Sequence, residues 1–427
     1  MENLSQTQFE HAKTIGAQLR VAARPIKILR SVAWEDHFRK DFIETGRLPT
    51  PEYPNIDLGE ARDLIKAARK EITGDHVVYE WLDDLAQTLE IMIALLQSRG
   101  RVEFHNHSCA LYGKPEKLML DKKTRVIDLA HHMDKVLDEL NVEKLVVAGH
   151  AQDMSAEAFS SALAPHLDRH FGDMAPKIIL SDTLSAKAVA GSRRIQIRSS
   201  ARFTERDVEQ LLQHEALVHA ATALNGRAQE HFPNLALAHA GTTEVQEGLA
   251  VFAEMISGAM DPVRFRRLSD RVIAIQMSID GADFKEVYDF YHARTDDPNQ
   301  AYENTRRVFR GGVLSGGAPF TKDMVYLNGL LRVHNFMRSV VKLQRADLIR
   351  ILFAGKMDIE HIPALAQMAN AGRLTPPRFM PHWAKDLRFL VSYMAYSSFL
   401  NQVKMPGFQS YYEEELSTVP VVWDYGT

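Results

Sequence analysis

The chain contains one cysteine, Cys109, and 18 histidines among its 427 residues. One cysteine cannot form an internal disulfide, and it cannot supply the thiolate cluster of a structural zinc site. The fold must therefore be held together by a hydrophobic core, for which a chain of this length with 45% hydrophobic residues is sufficient. Any metal bound to the protein must be held by imidazole and carboxylate groups.

Composition and charge favour a helical globular protein. The 23 Gly and 17 Pro are fewer than a turn-rich β protein of this length would carry. A formal net charge of -4 argues against a nucleic-acid-binding protein that relies on bulk positive charge. No basic start followed by an apolar run opens the chain, and no stretch of about 18 uncharged apolar residues occurs. We therefore expect a cytoplasmic protein that does not bind nucleic acid or membranes.

Helical periodicity dominates the chain and is interrupted by a few strand-like segments. Residues 1–100 form two amphipathic helical blocks around a proline-rich loop, and we expect this amino-terminal layer to pack on a catalytic domain at 101–427. Three short segments favour strands, at 144–148, 177–180 and Arg194–Arg198. The predicted fold class is a helix-rich α+β protein with a small mixed sheet.

One helix of the chain carries signals at both of its ends. Thr204 and Asp207 have the spacing of a capping box, which marks a helix amino terminus. The pair Asn225-Gly226 is a typical stop signal. These signals predict a helix at about 205–224.

The predicted helix contains the segment His214-Glu215-Ala216-Leu217-Val218-His219. This H-E-x-x-x-H pattern is one residue longer than the H-E-x-x-H of zinc peptidases. On a regular α-helix, residues five apart are separated by about 140° around the axis, so the two imidazoles would not face one ion. A one-residue π-bulge between them would restore the facing arrangement, and such bulges are frequent at functional sites.

A carboxylate on the next helix completes a possible metal site. We predict this helix at 242–258, with Thr243 and Gln246 spaced as a capping box. Glu247 follows in the first turn or just beyond it. The adjacent Gly248 costs about 1 kcal/mol of helix propensity, which suggests that another backbone or an ion approaches closely there.

Two imidazoles and one carboxylate are the protein ligands of many catalytic zinc sites. His214, His219 and Glu247 are the predicted ligands of Zn²⁺, and Glu244 competes with Glu247 for the third place. Zinc lowers the pKa of bound water to about 7, and Glu215 could take the water's proton and pass it to a leaving amine. Two alternatives are a regulatory protein that keeps zinc without catalysis and a hydrolase of non-peptide amides or esters. Structural zinc sites commonly use cysteine, which disfavours the first alternative.

The string Gln246-Glu247-Gly248-Leu249-Ala250, downstream of H-E-x-x-x-H, resembles the QEGLA-motif proteins. This family is linked by name to flavohaemoglobin expression, and its eukaryotic relatives are the microtubule-associated tyrosine carboxypeptidases. The resemblance is tight over 202–260 and looser over 305–331, and as a general layout it covers most of the chain.

The resemblance implies a zincin-like metallopeptidase fold for this chain. His214, His219 and Glu247 match the metal ligands of the family, and Glu215 matches its catalytic acid/base. It also implies a carboxypeptidase that removes C-terminal residues from peptides or protein tails. The substrate itself does not carry over, because substrate recognition depends on surfaces outside the motifs.

A C-terminal carboxylate needs a cationic partner, preferably a guanidinium. Arg310 ends a helical stretch in a glycine-rich bend, and Lys322 and Tyr326 open the next helix, so these three side chains could converge on the carboxylate and the oxyanion. Arg202, just ahead of the H-E-x-x-x-H helix, is a similar candidate. Solvated helix-end cations and a packed tyrosine are the alternative interpretation.

Two further patterns have possible functional roles. The strand Arg194–Arg198 alternates arginine and glutamine with isoleucine, and it could lie beside the site as an edge that pairs with substrate backbone. An ordinary sheet strand is the favoured interpretation. His105 and His107 have the spacing that places both imidazoles on one face of a strand, as a second metal site would require. Because no carboxylate pattern lies near them, ordinary surface histidines are the favoured interpretation.

Overall fold

The structure is a computed structural model, and it describes residues 4–140, 154–182, 184, 186–295 and 297–400. The strand predicted at 144–148 lies outside the described residues. Within the described part of the chain, no helix is long and apolar enough to cross a membrane.

Seven helices lie within residues 4–140, in agreement with the helical periodicity of this part of the sequence. The first stretch is not continuous, because the chain turns at Pro25 and forms three separate helices before residue 46. The helices are α1 (Gln6–Ala22), α2 (Ile28–Ser31), α3 (His37–Thr45), α4 (Gly59–Glu71), α5 (Val77–Gln97), α6 (Val102–Tyr112) and α7 (Val126–Glu139).

A small mixed sheet follows helix α8 (Ala156–Phe171). Its strands are β1 (Lys177–Ser181), β2 (Ala188–Ala190) and β3 (Arg194–Arg198). β3 is central, parallel to β1 and antiparallel to β2, and Ile195 and Ile197 on β3 are fully buried. Both sides of β3 are paired, so it is an ordinary sheet strand, the favoured interpretation, and not an edge that could pair with substrate backbone. β1 and β2 are the outer strands of this sheet, and β2 has no alternating pattern in the sequence.

The carboxyl-terminal half of the described chain is helical. A long helix runs without a break through α9 (Glu205–Leu211), a π-helix (Leu212–Ala220) and α10 (Ala221–Arg227). The remaining α-helices are α11 (Ala240–Ile256), α12 (Pro262–Ile279), α13 (Phe284–His292), α14 (Pro298–Phe309), α15 (Met324–Lys342), α16 (Asp347–Ile351), α17 (Ile362–Asn370), α18 (His382–Lys385) and α19 (Arg388–Leu400). Short 3₁₀ turns lie at Gly172–Met174, Pro233–Ala236, Thr321–Asp323 and Ile359–His361.

Two of the predicted helix ends differ from the structure. Asn225 and Gly226 lie inside α10 rather than ending it, because the Asn225 amide is buried and bonds the carbonyls of Phe353 and Phe379. Helix α11 begins at Ala240 with no side-chain cap, and the hydroxyl of Thr243 donates back to the carbonyl of His239. In both places tertiary contacts override the local signal.

One large hydrophobic cluster joins the amino-terminal helices to those that carry the candidate site. It includes Leu82 and Leu89 of α5, Leu249 of α11 and Val325 of α15, all with exposed fractions of 3% or less. A second cluster lies between α8, the sheet and the π-helix. The π-helix is thus packed from both sides, which fixes the direction of its side chains.

The proposed strand at His105 and His107 is wrong, because both residues lie on α6. Two positions apart on a helix, the side chains point about 200° apart and cannot share an ion. His105 Nδ1 lies 2.8 Å from the carbonyl oxygen of Pro319 and Nε2 lies 3.3 Å from the sulfur of Cys109, so this histidine is used in packing against the segment ahead of α15.

Candidate metal centre and its cleft

The π-helix brings the two histidines of H-E-x-x-x-H together. Thr204 and Asp207 form both bonds of the predicted capping box at the start of α9. From Leu212 onward the backbone repeats at i to i+5, so that residues five apart lie on the same face. The ring centroids of His214 and His219 are 4.8 Å apart. The structure contains the π-helical turn that the spacing of the two histidines requires.

Glu247 meets both imidazoles from α11. Its Oε2 atom lies 3.4 Å from Nε2 of His214 and 3.6 Å from Nε2 of His219. The potential ligand atoms of the three residues all lie within 4.8 Å of one another, and all three side chains are at least partly buried. Among the described residues, this is the only group of three or more His, Cys, Asp or Glu side chains with such spacing.

Glycines set the position of α11 against α15. A Cβ atom at Gly248 would lie 2.1 Å from the backbone carbon of Gly329, and one at Gly329 would lie 2.1 Å from the carbonyl oxygen of Glu244. The backbones of the two helices are therefore in direct contact beside Glu247. The close approach expected at Gly248 is confirmed, and its partner is a backbone.

Glu244 does not share the cluster. Its Oε1 atom accepts a hydrogen bond of 3.0 Å from Nη1 of Arg332, and the same guanidinium bonds Asp358. Glu244 lies one turn of α11 before Glu247. Its carboxylate faces Arg332 of α15 rather than the two imidazoles. Of the two candidate carboxylates, only Glu247 meets the imidazoles.

A second layer of charge fixes the His214 ring. Nδ1 of His214 lies 2.6 Å from Oε1 of Glu254, which in turn accepts a 3.1 Å hydrogen bond from Arg264. Burial alone lowers the pKa of His214, but its hydrogen bonds to Glu247 and Glu254 outweigh burial and raise it to about 10. Burial likewise raises the pKa of Glu254, and Arg264 and His214 bring it down to about 2. Without a metal, the charge of the Glu254 carboxylate is thus balanced by His214 and Arg264.

Glu215 is oriented by the edge strand β2. The backbone N–H of Ala190 donates a 2.8 Å hydrogen bond to Oε2 of Glu215. This N–H is free for the carboxylate because Val189, not Ala190, exchanges the neighbouring ladder bonds with β3. The strand is only three residues long and carries no alternation, so nothing in the sequence indicated this contact.

The structure separates the four residues predicted to bind substrate. Lys322 lies in the site, with Nζ 3.6 Å from Oε1 of Glu247, and Tyr326 lines the adjoining cleft. Arg310 is buried with its guanidinium over the ring of Phe320 and does not line the cleft. Arg202 is exposed ahead of α9 and does not line it either.

A cleft of about 160 Å³ opens beside His214 and Glu215, and its walls are strongly cationic. Three carboxylates line it: Asp207, Glu215 and Glu303. Twice as many cations do so: Lys187, Arg198, Arg264, Arg267, Arg271 and Arg307. Sequence reasoning missed these cations, although Arg264, Arg267 and Arg271 follow an i, i+3, i+7 pattern that places them on one helical face.

Two of these cations are bound to one buried carboxylate that does not itself line the cleft. Arg307 donates to Asp323 from two nitrogens, and Nε of Arg271 lies 3.6 Å from the same carboxylate. The Arg271 guanidinium also stacks on Tyr326, 4.1 Å from the ring centroid. Burial and Glu247 raise the pKa of Tyr326, and Lys322, Arg307 and Arg271 lower it below its ordinary value.

These features define a helix-rich α+β protein with a buried cluster of two histidines and a glutamate beside a cationic cleft. Comparison with protein families gives a match to the family described as microtubule-associated tyrosine carboxypeptidase, over residues 36–402. The match spans most of the chain, so the chain belongs to this family. No curated protein is similar to it at a significant level. Family membership implies a carboxypeptidase-type hydrolase.

Proposed function

We propose that this protein is a zinc-dependent carboxypeptidase of zincin-like fold that removes C-terminal residues from peptides or protein tails. The observation that carries the proposal is the convergence of His214, His219 and Glu247 next to Glu215, in a chain of a carboxypeptidase family. The Gln246–Ala250 string supports placing the chain with the QEGLA-motif proteins within that family.

The donor set of the cluster fits zinc. Two imidazole Nε2 atoms and one carboxylate oxygen are typical zinc ligands, and a carboxylate behind a ligating histidine is the common outer partner. Glu254 takes that outer position behind His214. In metal-free protein the charge of Glu247 is stabilised by Lys322, His214 and His219, and the charge of Glu254 by Arg264 and His214.

His214, His219 and Glu247 would hold the ion. When bound, zinc would supply an acidified water and polarise the scissile carbonyl. Glu215 would accept a proton at Oε1 and deliver it to the leaving amine, while its Oε2 stays bonded to the Ala190 N–H. Because β2 is an edge strand next to Glu215, its exposed backbone is the natural place for substrate backbone to pair.

The cleft supports a substrate with a free carboxylate. Arg271 and Tyr326 lie together in its wall, and a buried nitrogen of Arg271, Nη1, forms no hydrogen bond. We assign the terminal carboxylate to Arg271 and Tyr326, with Lys322 at the metal side of the cleft. The family's description names tyrosine, so a C-terminal tyrosine is the first residue to test.

The regulatory alternative is less well supported by the site. A zinc site with a purely structural role is usually closed by four protein ligands, and only three potential ligands converge among the described residues. Glu215 lies beside the cluster with its own hydrogen-bond partner, as a proton carrier would. Hydrolysis of a non-peptide amide would use the same residues, and the substrate test below separates it.

The test is hydrolysis of paired peptides that differ only in a free or amidated C-terminus. Wild-type protein with zinc should release the terminal residue from the free peptide and leave the amidated one intact. Glu215→Gln should retain zinc and lose turnover. Cleavage of the amidated peptide at the same bond, or full activity of Glu215→Gln, would contradict the assignment.

A further inference from the structure

Helix α6 of the amino-terminal layer is hydrogen-bonded to the segment that leads into α15. Oγ of Ser108 accepts a 2.8 Å hydrogen bond from the backbone N–H of Thr321, and it lies 2.8 Å from Oγ1 of the same threonine. Ser108 and Thr321 both have exposed fractions of 0%. One turn earlier on α6, Nδ1 of His105 donates to the carbonyl oxygen of Pro319 over 2.8 Å. Two residues of α6 thus hold this segment at two points.

The residue that follows Thr321 belongs to the candidate site. Nζ of Lys322 lies 3.6 Å from Oε1 of Glu247, and Lys322 has an exposed fraction of 7%. A lysine side chain is a flexible four-carbon stem, so its ammonium is placed only as precisely as its backbone is. The N–H that Ser108 holds lies one residue before this stem. The hydroxyl of Ser108 therefore fixes the point from which Lys322 extends towards the metal ligand.

Another buried serine of the same layer is used differently. Ser98, at the carboxyl end of α5, has an exposed fraction of 3%. Its hydroxyl donates to the carbonyls of Ala94 and Leu95, both at 3.0 Å, within its own helix. Such local bonding is usual for a helical serine. Ser108 instead bonds a residue 213 positions away in the sequence. The two serines are thus a matched pair, one bonded within its helix and one bonded to the site.

We propose that Ser108 is a positioning residue, which holds Lys322 beside Glu247 through the backbone of Thr321. Helix α6 is then a component of the candidate site as well as a part of the core. Without the hydroxyl, the buried N–H of Thr321 would lose its acceptor, and the segment would be released. The effect on turnover rests on the proposed carboxypeptidase function, whereas the position of Lys322 can be measured without metal or substrate.

The first experiment labels the lysines of metal-free protein with an amine-reactive reagent and reads each site by mass spectrometry. Ser108→Ala should raise the rate of labelling at Lys322 by about tenfold, because an unpaired buried N–H favours opening of the segment. Ser108→Cys keeps the size of the side chain with a weaker donor and acceptor, and it should give an intermediate rate. Ser98→Ala should leave the rate at Lys322 unchanged. The exposed Lys135 of α7 should react equally in all four proteins.

The second experiment measures turnover of a peptide with a free C-terminus by zinc-loaded protein. Ser108→Ala should lower kcat/KM by about tenfold, as expected when a group of the site is misplaced. In a Lys322→Met background, which already lacks the ammonium, Ser108→Ala should lower kcat/KM by less than about twofold further, because the two residues act as one unit. Ser98→Ala should keep the wild-type kcat/KM.

Three results would overturn the role of Ser108. They are an unchanged labelling rate at Lys322 in Ser108→Ala, an equal rise of that rate in Ser98→Ala, and a Ser108→Ala loss of kcat/KM that is as large with Met at position 322 as with Lys. If no peptide is cleaved but the labelling of Lys322 depends on Ser108, the carboxypeptidase assignment fails and the positioning of Lys322 by α6 stands.

Discussion

Nδ1 of His214 and Oε1 of Glu254 are 2.6 Å apart and fully enclosed in the protein. The bond leaves Nε2 of His214 as the nitrogen that faces Glu247 and His219. Glu254 is completely buried, with an exposed fraction of 0%, and its carboxylate accepts hydrogen bonds from Arg264. The chain thus links the candidate metal centre through one carboxylate to the cationic face of α12, so that the centre and the cleft share a single charge network.

The Glu254 network predicts a pH-dependent contribution to stability in metal-free protein. The folded-state pKa of Glu254, about 2, lies below its ordinary value of 4.5, so its contribution is complete above pH 4.5 and is lost as the pH falls towards 2. Glu254→Gln should therefore reduce the free energy of unfolding by about 3 kcal/mol at pH 7, where it leaves Arg264 unpaired. The difference in the free energy of unfolding between wild type and Glu254→Gln should become smaller below pH 4.5.

Urea unfolding with EDTA at pH 7 and pH 3.5 would measure the Glu254 deficit. Glu44→Gln, which changes an exposed carboxylate of α3, is the control and should have little effect at either pH. A Glu254→Gln deficit of equal size at both pH values would show that the carboxylate charge is not its source.

The choice between Glu244 and Glu247 can be tested by metal retention. Glu247→Gln should lower zinc affinity by at least about tenfold, because it removes a charged ligand next to both imidazoles. Glu244→Gln is the matched variant one turn away, and it should keep wild-type zinc affinity while weakening the contact to Arg332. Competition with a chromogenic chelator measures the zinc affinity of both variants. A loss of affinity in Glu244→Gln but not in Glu247→Gln would assign the third ligand to Glu244.

The N–H of Ala190 is predicted to hold the catalytic base in position. Ala190→Pro removes this donor without breaking the ladder between β2 and β3, because proline is tolerated where an edge N–H points away from the sheet. We expect kcat to fall about tenfold or more, with zinc content retained and KM little changed. Val189→Thr, at the exposed neighbouring position of the same strand, is the control. An unchanged kcat in Ala190→Pro would remove the N–H from the mechanism.

The backbone contact between α11 and α15 predicts a large effect of a small substitution. Gly248→Ala places a Cβ on the backbone of Gly329 and should reduce the free energy of unfolding by roughly 3 kcal/mol or more, with loss of zinc as α11 is displaced. Gly16→Ala in α1 has its nearest heavy atom at 3.4 Å and should be neutral or up to about 1 kcal/mol stabilising. Thermal unfolding of both variants makes the comparison. Equal changes in the stability of Gly248→Ala and Gly16→Ala would show that α11 and α15 can move apart without loss of stability.

The candidate centre was more predictable from the sequence than the rest of the site. The five-residue spacing of His214 and His219 on a capped helix required a π-helical turn, and the structure contains one. The position of Glu247 follows from its helix, and Gly248 indicated a close neighbour. These inferences succeed because they depend on local periodicity, which one segment of sequence contains.

Features that depend on distant contacts were missed or placed wrongly. β2 has three residues and is defined by its pairing with β3, and the first turn of α11 follows no capping signal at all. In the sequence, three arginines on one face of α12 are typical of a solvent-exposed helix face. In the structure the same three side chains line the cleft. Arg310 was expected at the substrate, but it packs on Phe320, because the bend after α14 turns it inward.

Metal analysis of the purified protein tests the central claim most directly. We predict close to one zinc per chain in the wild type and a loss of most of that zinc in His214→Ala, with the fold retained as judged by circular dichroism. The exposed His132→Ala of α7 should bind zinc like the wild type. A wild type that takes up no stoichiometric zinc, or a His214→Ala protein that keeps it, would contradict a metal centre at His214, His219 and Glu247.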